Sequence, residues 1–197
     1  MKKIILASHG FQKNSDLSKY ILALLPKSVK DLSAVIITTA SAEWKERNKH
    51  AVTAKQALEE LGFSNVVFLD IELEDPNKLN KYDLIFINGG NPFYLLYHLK
   101  KSGADAIITQ LASEGVVIVG ISGGGVVLGP DIAIVDYFDS KLNTVNLKDL
   151  IALNITDTVI YPHYKEEIED ELTTFESRYG HKVKRLRDDQ SIVISDE

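Results

Sequence analysis

Five short apolar runs mark the first two thirds of the chain: KKIILAS (2–8), SAVIITT (33–39), NVVFLDI (65–71), DLIFING (83–89) and GVVIVGIS (115–122). Their length and β-branched content predict strands. Several are apolar at consecutive positions instead of alternate ones, the pattern of a strand covered on both faces. Between the runs the hydrophobic period lengthens, predicting helices at about 15–25, 43–61, 92–101 and 104–114. The second of these places Trp44, Ala51, Ala54, Leu58 and Leu61 near one stripe. Pro92 suits the first turn of the third helix, and Gly62 in ELGFSN suits a helix C-terminus. Strands alternating with helices imply βαβ units. The expected fold class is therefore α/β, three layers deep, with a mostly parallel central sheet between two layers of helices. Beyond residue 130 the pattern loosens. DIAIVDY (131–137), DTVIYPH (157–163), HKVKRL (181–186) and QSIVISDE (190–197) read as shorter strands, with one helix at about 164–179. The stretch 136–150 is the longest without an assignment, and long loops often carry function.

Composition narrows the class of protein. At 197 residues the chain fits one domain, 1–197, with enough apolar material for a core of its own. A net charge of −6 and the lack of a Lys/Arg cluster argue against a nucleic-acid partner. The KRLR run (184–187) reads as a solvated strand end. With no cysteine, a disulfide framework, a thiolate metal site and a Cys nucleophile are all excluded. The opening MKKIILASHGF has too short an apolar stretch for a signal peptide or a membrane span, so no membrane partner and a cytoplasmic location are expected. The acidic run KEEIEDE (165–171) reads as a solvated helix face, not as a metal site.

The chemistry concentrates in VVIVGISGGGVVLGP (116–130), where a strand stops at Ser122 and three glycines follow. Gly120, Ser122 and Gly124 satisfy G-x-S-x-G. A serine on a sharp strand-to-helix turn needs small neighbours two positions either side, and the turn aims backbone N–H groups at the site. Taken alone, GISGGG could equally bind a phosphate or simply pack closely. A nucleophilic serine also needs a base and a group to orient that base. Of the five histidines, His50 reads as a helix-surface residue and His98 as a packed helical one. His181 sits in a turn, and His9 follows the first strand near the sheet's carboxyl edge. His163 is best placed, just past a strand and stiffened by Pro162. Asp188 and Asp189 lie at a turn between two strands. FINGGNPFYL supplies a second strand-to-helix corner, with Gly89 and Gly90.

Together, INGGNPFYLL (87–96), VGISGGGVVLGP (119–130), YPHY (161–164) and LRDDQSIV (186–193) resemble the peptidase E group of serine peptidases, family S51, relatives of the cyanophycinases. The resemblance implies a flavodoxin-like, class I glutamine-amidotransferase-like fold with a nucleophile elbow after a central strand. It implies Ser122 as nucleophile, His163 as base and Asp188 as its orienting acid, with Gly90 and Gly123 N–H groups as the oxyanion hole. Asn91 and Asp136 are implied as substrate contacts, with Asp139 second to Asp136. An α/β-hydrolase-like order would instead make Asp136 the partner of His163. Two departures stand out. Gly123 replaces the usual alanine. No arginine follows His163 before Arg178, and the intervening HYKEEIEDELTTF is acidic, so an N-terminal Asp is not the expected substrate. The expected function is a serine hydrolase acting on a small peptide or amide through an acyl-enzyme, with no metal or organic cofactor. The alternative is a non-catalytic module of the same fold that binds a small ligand or phosphate on GISGGG. The aromatic FYLLYHL offers a homodimer face, or else packs on the sheet.

Overall fold

A computed structural model describes residues 1–12, 14–26 and 28–195. Its strands are β1 (Lys3–Ala7), β2 (Ser33–Ile37), β3 (Asn65–Leu69), β4 (Leu84–Ile87), β5 (Val117–Ile121), β6 (Val159–Tyr161), β7 (Val183–Arg185) and β8 (Ser191–Ser195). Six of them form one sheet in the order β3-β2-β4-β5-β1-β8. All its pairings are parallel except that of β8, which runs antiparallel to β1 at the edge. Strands β6 and β7 form a separate, parallel pair.

The unbroken apolar runs follow from this position. Every residue of β4 and β5 is buried. Alternate side chains then feed two cores. Ile4, Leu6, Ile85, Ile87 and Ile118 face one layer, built from α3 (Pro92–Ser102), α4 (Ala104–Ser113) and the segments after β5. Ile5, Ala7, Phe86, Val117 and Val119 face the other, built from α1 (Leu17–Leu24) and α2 (Lys49–Glu60). Each such Ile, Leu or Phe contributes roughly 1.5–3 kcal/mol on burial. The three-layer α/β architecture expected from the pattern is the one observed. The apolar side chains Phe93, Leu95, Leu96 and Leu99 of FYLLYHL are buried in the first core.

Three local expectations need correction. DIAIVDY is not a strand: α6 spans Ala133–Asp139, after the α5 turn (Gly123–Val126) that follows β5. The Asp131 carboxylate accepts the Ala133 N–H at 2.9 Å, satisfying a donor that the start of a helix leaves free. The same helix takes residues 136–139 out of the supposed 136–150 loop, and a 3-10 turn follows at 140–142. The long helix expected at 43–61 begins only at Lys49. Asn48 adopts an extended conformation, and its side chain accepts the His50 and Ala51 N–H groups, so the helix is capped there. Trp44 lies outside the helix and off the stripe, 54% exposed. The 164–179 helix resolves into a 3-10 turn and α7 (Glu169–Tyr179). The QSIVISDE strand is borne out through Ser195; residues 196–197 lie outside those described.

Register decides where chemistry can gather. Ala7 pairs with Ile121, and Ile87 with Gly120. One residue beyond each strand end, Ser8, Asn88 and Ser122 therefore meet along one carboxyl edge, where sites on open parallel sheets form.

Candidate active site

Ser122 occupies φ 49°, ψ −119°, a conformation that L side chains rarely adopt. Its N–H donates to the Ala7 carbonyl at 2.8 Å, and its own carbonyl accepts the Gly125 and Val126 N–H groups. The backbone is thus held from both sides while the side chain projects. The flanking glycines are steric necessities. A Cβ at Gly120 would lie 2.6 Å from the Gly125 Cα, and one at Gly124 would lie 2.4 Å from the Ile87 carbonyl oxygen. Gly123 is equally constrained: a Cβ there would meet the Gly90 carbonyl oxygen at 2.4 Å. The alanine expected by resemblance at 123 has no room against this corner. Gly90 itself has φ 148° and lies against the Ala40 carbonyl.

The imidazole beside Ser122 comes from the end of the small sheet. Tyr161 of β6 is paired with Arg185 of β7. The ladder continues with Leu186 N–H to the Tyr161 carbonyl and Tyr164 N–H to the Leu186 carbonyl, each 3.0 Å. This brings the segments after both strands together. His163 Nε2 lies 3.0 Å from Ser122 Oγ, and His163 Nδ1 lies 2.5 Å from Asp188 Oδ1. A carboxylate only accepts, so Nδ1 carries the proton and Nε2 is left to accept from the serine hydroxyl. His163 also has a positive φ, 57°, and its N–H donates to Ser8 Oγ at 2.7 Å. Ser8 is fully buried and ties His163 to the main sheet. Sequence reasoning assigned Ser8 no role. Its position one residue past β1 was the available signal.

Two cavities flank Ser122. One, of about 180 Å³, is lined mainly by apolar side chains, among them Val126, Ile134, Val135, Phe138 and Leu142, with Asp139 beside them. The other, the polar cavity, of about 220 Å³, is lined mainly by residues with polar side chains, among them Ser8, His9, Asn48, His50, Asn88 and His163. Gly90 and Ser122 line both. Among the described residues the N–H groups of Gly90 and Gly123 have no acceptor, so both remain available to a ligand oxygen. His50, read as a helix-surface residue, belongs to the polar cavity, its ring 4.9 Å from that of His9, which lies 6.0 Å from that of His163. Burial, reinforced by neighbouring cationic groups, pushes the pKa of both His9 and His50 below the ordinary histidine value.

Other expected residues lie elsewhere or do other work. Asp136 does not line either cavity; Asp139, one helical turn on, lines the apolar one. The Asn91 side chain accepts the Tyr94 N–H and donates to the Leu142 carbonyl at 2.6 Å, so it caps α3 and lines neither cavity. Asp189 lies in a separate groove with Asn14 and Tyr20. The acidic run after His163 also stays away from the site. Glu169 pairs with Arg185 and Glu166 with Arg187, while Arg178 stacks on Tyr179. Among the described residues no three His, Asp or Glu side chains are grouped to hold a metal ion, and no helix is long and apolar enough to cross a membrane.

Relatives share this arrangement's frame. An uncharacterized peptidase of Listeria monocytogenes is 38% identical over 145 residues, covering 72% of this chain and 70% of the relative. An uncharacterized peptidase of Pasteurella multocida is 32% identical over 171 residues, 83% of this chain and 78% of its own. A crystal structure from L. monocytogenes, assigned provisionally to peptidase E, superposes with a TM-score of 0.79 at 29% identity, covering 98% of this chain and 94% of that one. A peptidase from an acI-B1 actinobacterium shares the fold at 16% identity and TM-score 0.68, over 98% of this chain and 83% of that one. Residues 4–197 match the profile of Peptidase family S51, and the chain belongs to that family.

Proposed function

We propose that this peptidase is of the serine type and cleaves short peptides with an apolar residue on the amino side of the scissile bond. The observation that carries the reading is the continuous chain from Ser122 Oγ to His163 Nε2, 3.0 Å, and from His163 Nδ1 to Asp188, 2.5 Å. Ser122 Oγ attacks the carbonyl carbon while His163 Nε2 takes its proton. The oxygen that becomes negative is met by the Gly90 and Gly123 N–H groups. The C–N bond breaks as His163 returns the proton to the leaving amine. Water, deprotonated by the same nitrogen, then attacks the ester and releases the acid.

The acyl residue belongs in the apolar cavity, whose lining includes no basic side chain. Asp139, beside that cavity, suits the free ammonium of an N-terminal residue. An Asp side chain would find no cationic partner there, which supports specificity for residues other than Asp. The acidic run after His163 contributes nothing to this, since it lines neither cavity.

A fluorophosphonate is expected to add once to the wild type and not to Ser122→Ala, read by intact mass. Leu-Leu is expected to be cleaved at least tenfold faster than Asp-Leu. No adduct on either folded protein would return GISGGG to a ligand-binding role; faster cleavage of Asp-Leu would reverse the specificity.

A further inference from the structure

We propose that the polar cavity beside His163 is a carboxylate subsite, in which His9, His50 and Asn88 take the terminal carboxylate of the residue that leaves. This rests on the serine-peptidase reading above and deepens it.

Direction comes first. His163 protonates the leaving amine, so the leaving residue lies on its side of Ser122. His163 lines the polar cavity and not the apolar one. Donors come second. Asn88 is only 2% exposed, lines this cavity, and its Nδ2 has no hydrogen-bond partner. His9 Nδ1 is likewise buried and unpartnered. Neither ring nitrogen of His50 has a partner among the described residues. A buried polar group left unpaired is costly, so two of them beside one cavity, Asn88 Nδ2 and His9 Nδ1, point to a polar ligand, and the exposed His50 ring adds a free donor at its rim. Charge comes third. No acidic side chain lines the cavity, although the chain as a whole carries −6. Reach comes last. The α-carboxylate carbon sits about 2.5 Å from the scissile nitrogen. His9 is the next imidazole out from His163, with ring centres 6.0 Å apart. An α-carboxylate spans that interval, and the amide of a longer chain would bring no charge to it.

The imidazoles give the subsite a pH dependence. His9 faces His163, Asp188 and Lys49, and His50 faces His9, His163 and Lys49. Without a ligand, burial keeps both rings neutral at pH 7. A bound anion favours their protonated forms, so its affinity rises as pH falls.

The test uses the full chain carrying Ser122→Ala, with Leu-Leu and Leu-Leu-amide titrated calorimetrically. Leu-Leu is expected to bind at least tenfold tighter than the amide at pH 6.5. Its affinity is expected to fall threefold or more by pH 8, without a matching fall for the amide. Adding His9→Asn and His50→Gln together should reduce the preference below threefold. His50→Gln alone, at an exposed position, should reduce it partway with the thermal midpoint preserved. Equal binding, no binding of either peptide, or a preference that survives the double substitution would overturn the subsite. So would Leu-Asp-amide binding as tightly as Leu-Leu, which would assign the cavity to an acidic side chain. Fluorophosphonate labelling of the wild type reads the underlying chemistry separately. A labelled Ser122 with equal peptide binding removes the subsite alone; an unlabelled Ser122 with a retained carboxylate preference removes the peptidase chemistry alone.

Discussion

At the residue scale, Ser122 is held where a side chain is costly. Its φ of 49° with ψ −119° is a strain of about 1–3 kcal/mol, tolerated because the Ala7 carbonyl and the α5 turn over-determine it. Ser122→Gly is therefore expected to raise the thermal midpoint by roughly 2–4 °C per kcal/mol relieved, while abolishing fluorophosphonate labelling. A lowered midpoint would show the elbow to be unstrained. Ser8→Ala should leave the His163 N–H without its acceptor, at a cost of about 1–3 kcal/mol, and slow labelling. The histidine pair makes a third prediction. Burial lowers both pKa values, so the folded state binds fewer protons than the unfolded chain below pH ~6.5, and stability is lost as pH falls through that range. Urea midpoints at pH 7.5 and 5.5 should differ less in the His9→Asn, His50→Gln protein than in wild type. Ser122, His163 and Asp188 were legible because four motifs occurred together at characteristic separations. Asn88 and His50 were not, because each has an ordinary local role: one follows a strand, the other opens a helix.

At the scale of elements, the three glycines act as one packing device. They let α5 descend onto the carbonyls of Ile87, Gly90 and Gly120, so the helix start and the β4 corner share a surface. Gly124→Ala should destabilise by about 1–3 kcal/mol or more, measured by chemical denaturation, because its Cβ meets backbone and not a movable side chain. The strands were read from their apolar runs with little error, since burial on both faces leaves no ambiguity in pattern. Residues 131–137 were misread for a physical reason. A stretch of seven holding Ile132, Ile134 and Val135 carries no helical period long enough to see, and at the helix start the Asp131 carboxylate accepts the Ala133 N–H. Asn48 shows the same effect at α2. Its dual acceptance from His50 and Ala51 decides the boundary, and Asn48→Ala should cost about 1 kcal/mol.

At the scale of the molecule, the site joins two sheets of unequal strength. Ser122 stands on a six-stranded sheet with buried central strands, whereas His163 and Asp188 follow a pair of three-residue strands. Short strands with few ladder bonds open more readily than a buried sheet. In a urea titration, Ser122 labelling is expected to fail before the far-UV circular dichroism changes; coincident transitions would make the two sheets one cooperative unit. This division was not legible in the sequence. The pattern after residue 130 showed strands but not their partners, and pairing between β6 and β7 depends on contacts that span α7.

The separation of His163 from Ser122 along the chain also has a temporal side under the proposed serine chemistry. His163 lies 41 residues after Ser122 in the chain, and Asp188 another 25 beyond. At roughly 5–20 residues per second, a ribosome would translate Ser122 several seconds before Asp188, the hydrogen-bond partner of His163. During that interval the growing chain carries an ordinary alcohol, unable to attack neighbouring nascent peptides. Reactivity would arrive only when the second sheet closes on the first, so synthesis itself would serve as the safety catch.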